Sequence, residues 1–467
     1  MYYKLNKSYV LRGFKGIPYV LANKNNSSTM FLSSEMFRVA DFCDGETPMD
    51  FLPLTDTQQK FIDDALKLGV IEKIDEPSPI MNYQRYRKAK NRYLRSVHWS
   101  VTGKCNLRCR HCYISAPDYK FHDLTTEDCF KLIDGMQKAG VINVSVTGGE
   151  PFVRKDIFEI LGKIVESGMG IMQVYTNGLL LNQKILDWFK ERSLNPDFVL
   201  SHDGVGCHDW MRGVENVEKP TVEAIKLLKS NGFRVAIESA ICRQNIDSLL
   251  NTYEELKRLN VDYWKTSFVF EVGKWAEREK DTNECPLTHK ELYAGYLKVI
   301  ERYVKDGAPF SVQFDGFFAG VKGKPQRYES LFERHFEDKD LTRINSCATC
   351  RVHPYLLPDG RLVPCPSMTE ADLDMPNLMN ESLSDIYSND EHPFFKLTNM
   401  KVSEVVDKNK SSSSCEHKKN CGGGCRALSV LSGNGIYGNS PILCEFFNSD
   451  YRKTIKNTVD LALKKER

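Results

Sequence analysis

The stretch Cys105-Asn-Leu-Arg-Cys109-Arg-His-Cys112-Tyr113 places three cysteines on one short segment of the chain. Three thiolates at this spacing can hold three irons of a [4Fe–4S] cluster and leave the fourth iron open to a small molecule. Two other interpretations stay open at this point, namely three structural cysteines or half of a zinc site. Zinc sites usually space their ligands as two C-x2-C pairs, so the spacing favours an iron–sulfur cluster.

The composition is that of an ordinary globular protein. The 467 residues carry a formal net charge of +2, which argues against a nucleic-acid binder. The start of the chain lacks the apolar core of a signal peptide, and no run approaches the roughly 20 apolar residues of a membrane span. Fifteen cysteines without a secretory signal favour metal chemistry over disulfides. We therefore expect a cytoplasmic protein of two or three domains that contacts neither nucleic acid nor membrane.

Strand and helix patterns alternate between residues 93 and 310. Runs rich in β-branched and aromatic residues predict six strands, at 97–102, 143–147, 171–175, 198–201, 234–241 and 263–270. Strands that alternate with helices form a parallel α/β sheet or a partial barrel. In such folds the chemistry takes place at the carboxyl ends of the strands. The cysteine segment follows the first predicted strand, so we expect it at that end.

Polar motifs also follow the next three predicted strands. Gly148-Gly-Glu-Pro151 follows the second strand, and its glycines allow a ligand to approach the backbone closely. The carboxylate of Glu150 can accept a charge-assisted hydrogen bond from an ammonium group. Thr176-Asn-Gly178 follows the third strand and Ser201-His-Asp-Gly204 follows the fourth. The motifs therefore predict one site at the carboxyl ends of the strands.

The cysteine triad and the Gly148-Gly-Glu-Pro151 motif together resemble the radical S-adenosylmethionine (SAM) enzymes. The resemblance implies a partial (β/α)6 TIM-like barrel over residues 93–310, with a [4Fe–4S] cluster on Cys105, Cys109 and Cys112. In this family the reduced cluster cleaves SAM, and the resulting 5′-deoxyadenosyl radical removes a hydrogen atom from the substrate. The implied SAM contacts are Tyr113, Gly148, Gly149, Glu150, Asn177, Ser201 and Arg212. A surface helix position is the alternative for Arg212. The cysteines that fit no ligand spacing are predicted to be apolar fillers: Cys129, Cys207, Cys242 and Cys285.

Residues 1–92 predict a separate small module. Two strands at 9–14 and 17–22, two amphipathic helices, the first ending at Asp44-Gly45, and a strand at 70–74 are typical of a winged-helix-like fold. The pattern resembles the RiPP recognition element, which binds the leader of a ribosomally made precursor peptide as an added strand on a sheet edge. A DNA-reading winged helix and a structural cap are the alternatives. The residues that carry the resemblance are Leu32, Phe37, Asp44, Gly45, Thr47, Leu66, Gly69 and Ile71.

Residues 311–467 form a cysteine-rich segment that resembles the SPASM domain, which carries two auxiliary [4Fe–4S] clusters. The resemblance implies that the first cluster is held by Cys347, Cys350, Cys365 and Cys425. It implies that the second is held by Cys415, Cys421 and Cys444. The family pattern has one more cysteine where this chain has Ser412, so the second cluster would have an open or oxygen-ligated iron or a substitute ligand. A zinc-binding tail is the alternative.

The three segments together resemble radical SAM/SPASM peptide maturases of the sactisynthase and ranthipeptide type. The resemblance implies an oxidoreductase that cross-links a precursor peptide, with a thioether favoured over a carbon–carbon or carbon–oxygen bond. It also implies an electron donor such as flavodoxin or ferredoxin. The alternatives are a small-molecule enzyme that modifies, for example, a tetrapyrrole, a sulfatase-maturing enzyme, and an iron–sulfur carrier without catalytic activity. The sequence does not choose a general base among Asp203, Glu238, Glu271 and Asp315.

Overall fold

The computed structural model describes residues 1–26, 28–116, 118, 121–270, 272–277 and 287–464. Glu271 and Cys285, both singled out above, lie outside the described residues. Within the part of the chain that the structure describes, no helix combines the length and the hydropathy needed to cross a lipid bilayer.

The first 92 residues contain two small sheets and two helices. The strands are β1 (Tyr2–Leu5), β2 (Tyr9–Phe14), β3 (Ile17–Asn23), β4 (Thr29–Phe31), β5 (Asp44–Pro48), β6 (Ile71–Ile74) and β7 (Arg87–Lys88). The helices are α1 (Ser34–Phe42) and α2 (Asp56–Lys67). The strand orders are β5-β1-β6 and β4-β3-β2-β7. The predicted hairpin, both helices and the strand near residue 71 are present, whereas β1, β4, β5 and β7 were not predicted.

The end of helix α1 differs from the prediction. The helix ends at Phe42, and Asp44-Gly45 begins strand β5 instead of closing the helix. The carboxylate of Asp44 accepts hydrogen bonds from the backbone N–H and the hydroxyl of Thr47, at 2.7 and 2.9 Å. Gly45 has a φ of +77°, and a Cβ there would lie 2.0 Å from the carbonyl oxygen of Ser78. The motif therefore builds a turn that only glycine can occupy.

The central part of the chain forms an α/β layer. The strands are β8 (Ser96–Ser100), β9 (Asn143–Thr147), β10 (Gly170–Thr176), β11 (Asp197–Ser201), β12 (Val235–Ile241), β13 (Tyr263–Phe268) and β14 (Ser311–Phe314). The helices are α3 (Thr126–Lys138), α4 (Ile157–Glu166), α5 (Gln183–Glu191), α6 (His208–Arg212), α7 (Glu218–Ser230), α8 (Leu249–Arg258) and α9 (His289–Lys305). Strands β8 to β14 lie parallel and in chain order. The six predicted strands are therefore confirmed as β8 to β13.

The sheet is wider than the six predicted strands. It continues through β14 into the antiparallel strands β15 (Phe318–Val321) and β16 (Lys324–Glu329). At the other edge, β17 (Tyr355–Leu356) lies parallel to β8 and pairs with β18 (Leu362–Val363). The eleven-stranded sheet thus extends past residue 310 into the cysteine-rich segment. The domain boundaries stay predictions.

Short helices follow in the cysteine-rich segment. They are α10 (Asp338–Leu341), α11 (Ala348–Val352), α12 (Leu383–Ser388), α13 (Pro393–Thr398), α14 (Val402–Asp407), α15 (Lys410–Ser413), α16 (Lys418–Cys421), α17 (Arg426–Leu431), α18 (Pro441–Asn448) and α19 (Tyr451–Lys464). Three 3-10 turns lie at Pro151–Val153, Ile246–Ser248 and Pro366–Met368.

The two faces of the parallel sheet differ in polarity. Apolar side chains such as Val97, Trp99, Val144 and Val146 belong to the main core cluster, to which the flanking helices contribute. Alternate positions along the same strands carry polar residues, which include His98, Ser145, Gln173, Glu238 and Lys265. Because successive strand residues point to opposite faces, the polar set shares the face away from the main core. The fold therefore has an apolar outer layer and a polar inner face.

Candidate active site

The segment from Cys105 to Cys112 is tied to the residues that follow β9. The backbone N–H of Gly149 donates to the carbonyl of Thr102 at 2.7 Å, and that of Glu150 donates to the carbonyl of Lys104 at 2.8 Å. A Cβ at Gly149 would lie 2.2 Å from the Lys104 carbonyl oxygen and 3.0 Å from the Cβ of Cys105. The glycine therefore allows the close approach that brings the two motifs together.

Helix α6 holds the other side of the same segment. The backbone N–H of Arg110 donates to the carbonyl of Met211 at 2.9 Å, and its side-chain Nε donates to the carbonyl of Trp210 at 2.7 Å. The guanidinium of Arg110 also lies over the Trp210 ring, 4.5 Å from its centroid. The cysteine segment is thus fixed between the end of β9 and α6.

The three thiols of the triad are free, partly buried and close enough to interact electrostatically. Burial raises the pKa of Cys105 to about 12 and that of Cys112 to about 11, so a nearby cation is needed to deprotonate them. Among the described residues, no three His, Cys, Asp or Glu side chains surround a single-ion position. A four-iron cluster takes one thiolate per iron and keeps its ligands apart. The free thiols on a fixed loop fit such a cluster.

Glu150 lies fully buried where β9 and β10 end. Its carboxylate accepts hydrogen bonds from the hydroxyl of Thr176 at 2.9 Å, from the backbone N–H of Asn177 at 2.8 Å and from that of Phe152 at 3.2 Å. Burial outweighs these bonds and raises the pKa of Glu150 to about 7. The side chain therefore joins the ends of two strands. Its carboxyl group changes between the neutral and the charged form near pH 7.

Asn177 contacts the cysteine segment directly. Its side-chain Nδ2 lies 2.7 Å from Oδ1 of Asn106 and 4.0 Å from Sγ of Cys105. Asn106 was missed by the sequence reasoning, although its position between two motif cysteines could have drawn attention to it. The two amides place hydrogen-bonding groups beside the first thiol of the triad.

Arg212 is buried, so the surface-helix alternative is wrong. Its Nε lies 2.7 Å from Oδ2 of Asp203, and its Nη1 lies 3.5 Å from Sγ of Cys109. Burial alone would raise the pKa of Asp203, but the Arg212 guanidinium, His208 and His111 together outweigh it and hold this pKa well below the usual range. The arginine therefore joins α6 to the cysteine triad.

His208 and His111, which the sequence reasoning missed, lie in the same buried network as Asp203 and Arg212. The Nδ1 of His208 accepts from the backbone N–H of Asp203 at 3.1 Å, and its ring stacks on His202 with centroids 5.0 Å apart. Burial lowers the pKa of His208 and of His111 to about 4, so both rings are neutral at pH 7. The position of His111 inside the cysteine motif was the available signal.

Tyr113 and Ser201 lie at the carboxyl-end side of the parallel strands. The hydroxyl of Tyr113 lies 2.8 Å from that of Tyr355 on β17. Ser201 is the last residue of β11. The contact with Tyr355 joins the end of the cysteine triad to a residue far along the chain, which local sequence patterns cannot reveal.

The polar inner face carries an ion pair and stacked rings. The Nζ of Lys265 lies 2.8 Å from Oε1 of Glu238, so one of the possible general bases is already paired. The His98 ring stacks on Tyr175 with centroids 4.7 Å apart. Burial is the main cause that lowers the pKa of His98, and Lys265 adds to it through space, although β13 and β8 lie five strands apart in the sheet. The sheet is therefore curved enough for its inner groups to interact.

The cysteines of the C-terminal segment gather in two groups. In the first, the sulfurs of Cys347 and Cys350 lie 3.2 Å apart, Cys350 interacts with Cys365, and Cys425 interacts with both Cys365 and Cys347. In the second, Cys421 interacts with Cys444 and Cys415. The structure thus brings together the two sets that the resemblance implied, and their assignment as cluster ligands stays a prediction. Ser412 lies on α15, and its hydroxyl donates to Oδ1 of Asn439 at 2.8 Å.

The cysteines predicted to be apolar fillers are of two kinds. Cys129 and Cys242 are buried, and Cys129 belongs to the main core. Cys207 is partly buried, with its sulfur 3.5 Å from the carbonyl oxygen of Gln244. None of the three lies in the groups described above.

Sequence comparison identifies relatives of the central part of the chain. Residues 99–256 match the radical SAM superfamily. An AdoMet-dependent heme synthase of Methanosarcina barkeri is 26% identical over 249 residues, which cover 49% of this chain and 71% of that protein. Mycofactocin maturase MftC of Mycolicibacterium smegmatis is 24% identical over 350 residues, which cover 73% and 81% of the two chains. Other curated relatives are matched over about half of their own length.

Comparison with solved structures supports the same fold. Streptococcus suis SuiB bound to the precursor peptide SuiA superposes with a TM-score of 0.64 at 15% identity, over 95% of this chain and 99% of that chain. The large parallel sheet and the match over residues 99–256 agree on the fold class. The chain therefore contains a radical SAM domain at residues 99–256, and a domain of this superfamily implies an enzyme that uses SAM and a [4Fe–4S] cluster.

Proposed function

We propose that this protein is a peptide maturase that installs an oxidative cross-link, a thioether, in a ribosomally made precursor peptide. The observation that carries the proposal is the presence of two groups of neighbouring cysteines in residues 347–444. Strand β17 of this segment pairs with β8 of the radical SAM domain. Closing a bond after loss of a hydrogen atom leaves one electron to be removed from the peptide. Two auxiliary [4Fe–4S] clusters on these thiols would accept that electron.

The triad residues would hold the cluster that cleaves SAM. When bound, that cluster and SAM supply a carbon radical that removes one hydrogen atom from the substrate. The residues assigned to the cluster are Cys105, Cys109 and Cys112. Those assigned to SAM are Tyr113, Gly148, Gly149, Glu150, Asn177 and Ser201, and Arg212 is assigned to the same site through Cys109. Their common position at the carboxyl ends of the strands and their mutual hydrogen bonds support this assignment.

The two C-terminal groups would each hold an auxiliary cluster. Cys347, Cys350, Cys365 and Cys425 supply four thiolates for the first. Cys415, Cys421 and Cys444 supply three for the second, with Ser412 at the fourth position. Because the Ser412 hydroxyl donates to Asn439, a cluster held by these three thiolates would keep its fourth iron free for the substrate, an oxygen ligand or a substitute side chain.

Residues 1–92 would bind the leader of the precursor peptide. Strand β4 ends the sheet order β4-β3-β2-β7, so one side of it is an edge. Met30 and Phe31 on this strand are 42% and 58% exposed. An exposed edge with apolar side chains can take up an extended peptide as an added strand.

Two similarities support a peptide substrate. SuiB, whose fold covers 95% of this chain, is solved with its precursor peptide SuiA. MftC is a maturase of mycofactocin by its name. A reducing partner such as flavodoxin or ferredoxin and a cytoplasmic location complete the proposal.

The test is anaerobic incubation with SAM, a reductant and the short peptide encoded beside this protein, followed by mass spectrometry. Loss of two hydrogens per event, together with loss of iodoacetamide-reactive cysteines, supports thioether formation. Loss of two hydrogens with every thiol intact indicates carbon–carbon or carbon–oxygen bonds. An unchanged peptide together with modification of an added iron tetrapyrrole would replace the proposal with the activity class of the heme synthase relatives.

A further inference from the structure

Four carboxylates are possible proton acceptors by sequence, and the structure describes three of them, since Glu271 lies outside the described residues. Asp203 is paired with Arg212, whose Nε lies 2.7 Å from Oδ2 of the aspartate. Glu238 is paired with Lys265 at 2.8 Å. Among the described residues, Asp315 has no ion pair, and its Oδ2 has no hydrogen-bond partner.

Asp315 immediately follows β14, at the carboxyl end of a parallel strand, where the site residues also lie. Its backbone N–H donates to the carbonyl of Thr266 at 3.1 Å, which fixes it beside β13. The residue is partly exposed, whereas its Oδ2 is buried and has no hydrogen-bond partner in the part of the chain that the structure describes. Within the described residues, the other buried carboxylate oxygens without a hydrogen bond, on Asp203 and Glu255, are ion-paired.

The backbone at Asp315 is also unusual. Its φ of +48° lies in the left-handed region, which residues other than glycine seldom occupy. Such strained positions are concentrated at functional sites, where the surrounding structure maintains them. Gly316 follows, and a Cβ there would lie 2.6 Å from the Phe332 ring, so the turn is tightly packed. The side chain is therefore held in one place by its neighbours.

The groups around Asp315 come from two other elements. Lys265 on β13 and the backbone N–H of Phe268 favour the charged carboxylate, whereas burial disfavours it. Tyr293 and Tyr296 on α9 also interact with it electrostatically. The net effect raises the pKa of Asp315 to about 7, with burial as the largest cause. A proton acceptor works best when its pKa lies near the working pH.

Asp315 also lies near the helix that carries Cys444, one of the three cysteines of the second C-terminal group. Tyr293 donates from its hydroxyl to the carbonyl of Ile442 at 3.2 Å. Ile442 and Cys444 lie on the same helix, α18. Asp315 therefore lies between two parts of the molecule. On one side it interacts electrostatically with Lys265 of the polar inner face, and on the other side lies helix α18, which carries Cys444.

We propose that Asp315 is the general base that takes a proton from the peptide when the cross-link closes. This inference rests on the proposed function. Joining a C–H carbon to a thiol removes two hydrogens from the peptide. One leaves as a hydrogen atom to the SAM-derived radical. The other leaves as a proton to the Asp315 carboxylate, and one electron passes to an oxidised auxiliary iron–sulfur cluster as the sulfur–carbon bond forms.

The test compares Asp315→Asn with Asp450→Asn in the intact holoenzyme. Asparagine tolerates the left-handed backbone, so the first substitution removes the charge without changing the turn. Asp450 is a matched control, because it has the same φ of +48° and is exposed. Each variant is incubated anaerobically with SAM, reductant and the peptide encoded beside this protein. We measure 5′-deoxyadenosine and cross-linked peptide separately.

We expect Asp315→Asn to form 5′-deoxyadenosine at a rate within about threefold of wild type and to lose at least tenfold in cross-linked peptide, since general bases contribute about 100-fold or more. Asp450→Asn should match wild type in both. Equal cross-linking by Asp315→Asn and wild type would overturn the inference. An inactive wild-type enzyme would instead contradict the proposed function.

A second measurement does not depend on activity. Because burial also raises the pKa of Glu150 to about 7, the spectra are recorded in a Glu150→Gln background, which removes that carboxyl. Infrared difference spectra of this background against pH should contain a protonated carboxyl band that disappears near pH 7, and the band should be missing when Asp315→Asn is added. The band should persist when Asp450→Asn is added instead. A background with no such band, or a band retained after Asp315→Asn is added, would overturn the inference whatever the substrate proves to be.

Discussion

Arg212 and Asp203 form a buried ion pair beside the cysteine triad, with Nε of the arginine 2.7 Å from Oδ2 of the aspartate. The same guanidinium reaches to 3.5 Å from the sulfur of Cys109. One side chain therefore neutralises a buried carboxylate and donates toward a proposed cluster ligand. Both functions depend on a charged, forked group, which lysine and glutamine do not provide.

Arg212→Gln should destabilise the protein and change the cluster. Removing one partner of a buried ion pair costs about 3–5 kcal/mol, because Asp203 would remain charged and unpaired. Loss of the donor to Cys109 should lower the reduction potential of the cluster, since a positive donor stabilises the reduced, more negative form. Anaerobic urea unfolding and a redox titration followed by electron paramagnetic resonance measure the two effects.

The double variant Arg212→Gln/Asp203→Asn separates these effects. It should recover most of the lost stability, because no buried charge is left alone, but it should keep the lower potential. Arg192→Gln is the control, because that guanidinium is exposed and lies over the Trp188 ring at 4.4 Å. A potential equal to that of wild type in both Arg212 variants would rule out the contact with Cys109 as a determinant.

Gly149→Ala should displace the cysteine segment. The new Cβ would lie 2.2 Å from the Lys104 carbonyl oxygen, a backbone atom that cannot move without shifting Cys105. We expect iron content after anaerobic reconstitution to fall by about one cluster. Gly162→Ala, on α4, meets no heavy atom within 4 Å and should be neutral or stabilising by up to about 1 kcal/mol. Equal iron content in the two variants would contradict this account.

Glu150→Gln should weaken SAM binding at least tenfold. The carboxylate accepts from three donors, and an amide would turn an N–H group toward them. Because burial raises the pKa of Glu150 to about 7, the wild-type carboxylate gains its charge as pH rises through neutrality. SAM affinity, measured by equilibrium dialysis, should therefore increase from about pH 6 to about pH 7.5 in wild type and not in the variant. Glu166→Gln, at the exposed end of α4, should behave as wild type.

Ser412→Cys should add a ligand to the second C-terminal cysteine group without reducing the iron content. A thiolate at this position would complete the set of Cys415, Cys421 and Cys444 and close the open iron. We expect a changed electron paramagnetic resonance signal and a loss of peptide cross-linking if the open iron binds the substrate thiol. Ser414→Cys, two residues along and exposed, is the control. Identical spectra for both variants and wild type would show that residue 412 is not next to a cluster.

Local patterns were enough to predict much of the fold. β9 has the predicted bounds, because its Val144 and Val146 are buried in a strand whose residues are all β-branched or small polar. The start of helix α1 is equally local, because the Ser33 hydroxyl accepts from the backbone N–H of Met36 at 3.2 Å and so caps the helix. Such features depend on neighbours in sequence, which the sequence itself displays.

Other features depend on contacts between distant residues. β17 pairs with β8, with Tyr355 opposite His98, and β17 has only two residues, too few to be predicted from its own sequence. The burial of Arg212 arises from Asp203 and from the fixed position of α6, so its polarity alone left a surface position open as the alternative. The preference for Asp315 over Asp203 and Glu238 likewise depends on the ion pairs that those two carboxylates form.

The most direct measurement is mass spectrometry of the peptide encoded beside this protein after anaerobic reaction with SAM and a reductant. A mass decrease of two hydrogens per cross-link, with equimolar 5′-deoxyadenosine and loss of reactive thiols, is the predicted result. The triple variant Cys105→Ala/Cys109→Ala/Cys112→Ala should leave the peptide unchanged. A peptide of unchanged mass from wild-type enzyme that cleaves SAM would contradict the account.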